Sequence, residues 1–147
     1  MPGLTLVDSI WRAGSLFFRR KDTLANVFTI APEGIRQTMT PDDLDSQNGT
    51  LTAARIKGGI LVHTSATGGG TLTMDTGANI DLAFPGLQIG EVIECYVIND
   101  GNQTVTLASA AGATIADTGQ TIAQNESVLL LFLKTAADTF TVYPVGA

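Results

Sequence analysis

The sequence predicts an all-β fold: a jelly roll, or a β-sandwich or barrel, of about eight strands, preceded by an irregular N-terminal arm and one or two short helices. Three observations predict it. From Gly70 to Ala147, short apolar or alternating runs are separated by Gly, Asn and Asp clusters at near-regular spacing, as in a many-stranded β domain. Within those runs Leu72 and Met74, Val105 and Leu107, and Phe140 and Val142 alternate with other residues, so each pair shares one face of a pleated strand. Val128–Leu133 is apolar throughout, which suits a strand covered on both faces, as at a subunit interface.

Residues 1–55 are expected to form the arm and a short helix, and residues 56–147 the body. In the arm, Trp11, Phe17, Phe18 and Phe28 lie among basic residues with no sustained period, and strand-like pieces such as Leu24–Ile30 interrupt it. Such an arm either packs into the core of its own domain or lies on a neighbouring copy or a larger partner. Thr40-Pro41-Asp42-Asp43 predicts a helix start, because Thr caps well, Pro suits the first helical position and acids favour the first turn. Asn48-Gly49 would end that helix. Asp42, Asp43 and Asp45 lack the spacing of a calcium loop.

Ile56–Thr64 is expected as the first body strand, followed by a sharp turn at Gly68-Gly69-Gly70. Thr71–Met74 is the next strand, and Asp75–Phe84 a short helix or wide loop ended by Pro85-Gly86. Glu91–Asn99 and Gln103–Ala108 read as a hairpin, since Asp100-Gly101 supplies the positive φ angles of a tight turn. Ala113–Ile115 and Thr121–Ile122 flank a turn at Asp117–Gly119, and Thr139–Tyr143 closes the domain. No full-length internal repeat is evident.

The 147 residues suit one domain with room for an arm. A chain of this length buries about 68–70% of its unfolded surface and needs no cross-links. Hydrophobic residues make up 44% and charged residues 15%, with a mean hydropathy of +0.24. So little charge implies that some apolar surface is covered by a partner or by copies of the chain. The net charge of −6 is uneven: residues 1–57 hold seven basic and six acidic residues, whereas residues 58–147 hold eight acidic residues and only Lys134. An acidic body is a poor nucleic-acid binder, because phosphate contacts need Lys and Arg. Arg19-Arg20-Lys21 is either a solvated stretch or a contact for an acidic surface.

The lone Cys95 permits no intrachain disulfide, which fits assembly in a reducing cytoplasm. It falls in a predicted strand, where a small buried hydrophobe is the expectation. No signal peptide or membrane span is expected, since the longest apolar run is Val128–Leu133.

Catalytic constellations were sought and none is expected. Asp75-Thr76-Gly77 and Asp117-Thr118-Gly119 share the triplet of aspartic proteases, but neither is followed by Ser and both lie in turn-like text. His63 has no Cys or second His to build a zinc site and is expected at or near the surface. No G-x-S-x-G elbow, phosphate loop or dinucleotide fingerprint is present. Glu91 and Glu94 are expected on different faces. The expectation is a protein without enzymatic activity, cofactor or metal.

The body resembles a β domain of small head proteins of tailed bacteriophages, the capsid decoration or cement proteins, and related modules of phage head and tail fibres. Gly90-Glu91-Val92, the polar turn Asn99–Asn102 and the strand Thr104–Leu107 carry the resemblance, within text that covers roughly 70–147 and not residues 1–55. The resemblance implies a homotrimer on the outer surface of an assembled icosahedral head, made in the host cytoplasm and bridging neighbouring major capsid proteins. Under that reading Trp11, Phe17, Phe18, Arg19, Arg20 and Lys21 are candidates to contact the capsid, and Val128, Leu129, Leu131 and Leu133 candidates for the trimer interface. The competing reading is a fibre module that binds a host surface glycan or receptor.

Overall fold

In the computed structural model the described residues are the backbone of 10–12, 15–19, 26–31 and 34–36, and residues 39–65, 69–117 and 119–146 with their side chains. The chain divides into two compact units, Met1–Met39 and Thr40–Ala147. The first holds β1 (Ile10–Arg12), β2 (Ser15–Arg19), β3 (Asn26–Ala31) and β4 (Gly34–Arg36), paired in chain order as an antiparallel sheet. Ile10 lies opposite Phe17, and Phe18 opposite Phe28. A regular meander therefore stands where an irregular arm was expected.

The second unit begins with β5 (Thr40–Leu44), a strand where a capped helix was expected. Parallel pairing with β7 (Gly59–His63) overrides the local helix signals, and Pro41 is tolerated because β5 is an edge strand. After β6 (Gly49–Leu51) comes α1 (Ala53–Gly58). Thr52 caps it by accepting from the Arg55 amide, and Gly59, at φ 83°, ends it in the left-handed region where glycine is favoured. The strand expected from Ile56 thus starts only at Gly59.

β8 (Gly70–Met74) buries Leu72 and Met74, as the alternation predicts. α2 (Gly77–Ala83) follows, capped by Thr76. Gly77 is required there: a side-chain carbon on it would collide with the carbonyl oxygens of Asp138 and Gly112. β9 (Val92–Asn99), β10 (Val105–Ala108), β11 (Ala113–Ile115), β12 (Thr121–Ile122), β13 (Ser127–Ala136) and β14 (Thr139–Val145) complete the unit.

These strands form two mixed sheets, ordered β11-β14-β13-β9-β7-β5 and β12-β10-β8-β6. The chain winds between them. β5, β7 and β9 join the larger sheet side by side and parallel, while β6, β8 and β10 do the same in the smaller one. This coil-like winding of parallel strands, with two short helices in the return segments, is a mixed α/β arrangement and corrects the all-β jelly-roll, sandwich or barrel expectation, whose sheets would be antiparallel. β9 and β10 form no hairpin either, since they lie in different sheets. The Asp100-Gly101 turn is a corner between sheets, held by the buried Asn99. Its amide nitrogen donates to the carbonyls of Gln103 (2.7 Å), Ile122 (3.0 Å) and Ala123 (3.1 Å), and its oxygen accepts from the Gly101 amide.

One core joins the two sheets and both helices. Leu61, Cys95, Val97, Leu130, Phe132 and Val142 from the larger sheet meet Leu51, Leu72, Met74, Val105 and Ile122 from the smaller, and Ile56 and Ile80 close it from the helices.

Candidate functional site

A sheet with one face on a core normally turns polar residues to water on the other. The larger sheet does the opposite. Its register defines the outward rows. Pro41, Ile60, Tyr96, Leu129 and Val145 form one row across five strands. Val62 and Ile98 lie beside it, as do Glu94, Leu131 and Tyr143, and then Val92, Leu133 and Thr141. Val92, Tyr96, Ile98, Tyr143 and Val145 are between 37% and 49% exposed. Leu129, Leu131 and Leu133 are half-buried, because β13 lies between two neighbours that flank them with side chains. The charged residues of this face are Glu94 and, on the edge strand, Asp43. Contiguous exposed apolar surface of this kind marks a contact site.

The structure separates the four residues expected at a trimer interface. Leu129, Leu131 and Leu133 point outward, while Val128, 1% exposed, points into the core with Leu130 and Phe132. The face also gathers Ile60, Val62, Val92, Tyr96, Ile98, Tyr143 and Val145, which sequence reasoning did not assemble. Their alternation was visible, but that β9 and β14 flank β13, with β7 beyond β9, was not. Of the capsid-contact candidates, Trp11 lies in β1 and Phe17, Phe18 and Arg19 in β2, with side chains outside the described residues; Arg20 and Lys21 lie outside them altogether.

The titratable groups serve the fold. Burial pushes the Asp75 carboxyl up, but bonds from Asn79 (2.7 Å), the Ala53 amide (2.7 Å) and the Thr76 amide (2.8 Å) outweigh it and hold the group below the ordinary carboxylate range. Both oxygens of Asp75 are thus engaged in tying the starts of α1 and α2 together. The Lys134 ammonium, beside Asp81, holds that carboxyl low as well, and the Asp138 amide adds to the effect. Lys134 also donates to the Leu87 carbonyl, fastening the segment after α2 to β13. A cavity of about 570 Å³ opens beside β5 and α1, next to Asp42, Arg55 and Lys57. Its guanidinium is engaged, at 2.7 Å from Asp42 and 2.8 Å from the Thr50 carbonyl. Burial pushes the Cys95 thiol up to about 12, so it stays protonated and unreactive near neutral pH. Among the described residues no group of three or more His, Cys, Asp or Glu is placed to hold a metal ion. No helix among them is long and apolar enough to cross a membrane.

His63 corrects another expectation. It is 2% exposed rather than at the surface or lightly buried, and among the described residues neither ring nitrogen has a hydrogen-bond partner. A buried unsatisfied donor costs about 1–3 kcal/mol. His63→Leu is therefore expected to raise stability by about 1 kcal/mol or more, read as a higher urea midpoint at unchanged slope. A lower midpoint would show that the imidazole contributes more by packing than it costs by desolvation.

No protein-family model matches this chain, and no curated protein matches it.

Proposed function

We propose that this chain is a structural virion protein that binds the outer surface of an assembled phage head, as a homotrimer, and cements neighbouring major capsid proteins. The observation that carries the reading is the largely apolar outer face of the six-stranded sheet, whose charged residues are Glu94 and the edge residue Asp43, a surface suited to protein contact rather than to turnover of a small molecule. Charge supports a division of labour. Thr40–Ala147 holds three basic and eleven acidic residues, a net of −8, whereas Met1–Met39 holds five basic and three acidic ones, a net of +2. The first unit then grips the shell, and the second joins copies. A protein that binds only the assembled shell stabilises it by mass action, and joining copies raises their effective concentration on it.

The test is co-sedimentation with heads that lack the protein. Binding at saturable stoichiometry, with a rise in the temperature at which heads release DNA, is the expected result. A protein left wholly in the supernatant overturns the reading. The second reading, a fibre module that binds a host glycan, draws on Tyr96 and Tyr143, two exposed aromatic rings on the same sheet face. Under it, glycan binding is lost in Tyr96→Ala and Tyr143→Ala while heads are ignored.

A further inference from the structure

We infer that the outer face of the six-stranded sheet is a self-association surface, covered by the same face of a second copy, with the Glu94–Leu131–Tyr143 row at its centre. This goes beyond the proposed function: a contact between identical faces pairs two copies about a two-fold axis, and is additional to the contacts that close a trimer. The edges of the larger sheet are poorly suited to the other common route, addition of strands. β5 presents Pro41, Asp42 and Asp43 at one edge of the larger sheet, and β11, at the other, is three residues long. Proline, charge and shortness all blunt an edge. Copies are left to meet face to face.

Size and charge select the occupant. Six strands about 4.8 Å apart, presenting about 20 Å of length on average, make a plane of roughly 580 Å². Two such planes cover more than about 1,000 Å², the scale at which a contact becomes specific. The body carries a net of −8, so a partner recruited by charge would be basic. Such a partner would find on this face only Glu94 and the edge residue Asp43. An uncharged apolar surface matches it instead, and a symmetric contact uses one patch twice. Tyr96 and Tyr143 suit the centre of such a contact, because their rings give apolar area and their hydroxyls tolerate partial hydration.

Glu94 then limits the strength of association. It lies opposite Leu131, in the middle of the contact, where a second copy brings its own Glu94 into the same desolvated region. Removing that charge strengthens the contact, and adding a further negative charge beside it weakens the contact.

The experiment is sedimentation velocity and light scattering on the full chain, without heads, over a hundredfold range of concentration. The expected result is a dissociable oligomer. Leu131→Glu and, separately, Tyr96→Glu raise its dissociation constant at least tenfold, and Glu94→Gln lowers it by about threefold or more. Circular dichroism and the urea midpoint report whether each variant stays folded; Tyr96, 40% exposed, is the position where the fold is least at risk. A monomer at every concentration overturns the inference, as does an oligomer that Tyr96→Glu and Glu94→Gln leave unchanged. Because heads are absent, self-association can hold while shell binding fails, and the reverse.

Discussion

Asn99→Asp is expected to remove a large part of the protein's stability at neutral pH, although it exchanges one amide nitrogen for an oxygen of nearly the same size. The Asn99 side chain is completely buried, and its nitrogen faces three carbonyl oxygens within 3.1 Å. Aspartate turns the donor into an acceptor and adds a charge with no partner. A buried polar group left unmatched costs about 1–3 kcal/mol, and a charged one more. Here three carbonyls lose their donor together, so the loss is about 4 kcal/mol or more, a large part of the roughly 5–15 kcal/mol that holds a domain. Asn102→Asp, three residues along the same corner and exposed, is the control and leaves the urea midpoint within about 0.5 kcal/mol. Equal midpoints for the two variants would show that Asn99 does not hold the corner.

Phe132→Ala is the second large effect. Phe132 is fully buried, opposite Val142 on one side and Ile93 on the other. Truncating a core phenylalanine costs about 3–5 kcal/mol, part lost transfer energy and part cavity. The midpoint of thermal unfolding falls by roughly 10–20 °C in a domain of this size. The instructive comparison is with Leu131, one residue earlier. Its side chain points to the opposite face, so Leu131→Lys spares most of the thermal stability that Phe132→Ala removes. If the two variants lose the same stability, the assignment of inner and outer faces of β13 is wrong.

These two positions show what was legible in the sequence. Face parity was: Leu72 and Met74, Val105 and Leu107, and Phe140 and Val142 all point inward as their alternation predicts. α2 lies between Asp75 and Phe84, where a short helix or a wide loop was expected. Pairing was not legible. Asp100-Gly101 has the local chemistry of a hairpin turn, and only the long-range bonds of Asn99 to Ile122 and Ala123 make it a corner. The strand at Thr40–Leu44 was hidden for the same reason, since its parallel partner β7 lies beyond α1 and local capping signals spoke for a helix. One signal of the winding was available. Gly-Thr-Leu-Thr occurs at 49–52 and again at 70–73, on strands that pair parallel two residues out of step, Gly49 opposite Leu72. Of the candidate site, the apolar run of β13 stood out, whereas Tyr96 and Tyr143, far apart in the chain, become neighbours of that run only through β9 and β14.

The place of the last hairpin in the larger sheet sets the order in which the protein can become complete. β13 inserts beside β9, and β14 joins β11 to the sheet. During synthesis the earlier turns emerge first and can stack as they appear, but β9 keeps an open edge until β13 has left the ribosome, and the core lacks Phe140 and Val142 until β14 follows. Distant pairings of this kind close slowly, and an unpaired edge beside exposed apolar side chains is where newly made chains stick to one another. A chain interrupted before Ser127 would therefore be expected to aggregate rather than persist as a smaller domain. The hairpin acts as a late quality check, because only finished copies lose that open edge and display the complete outward face.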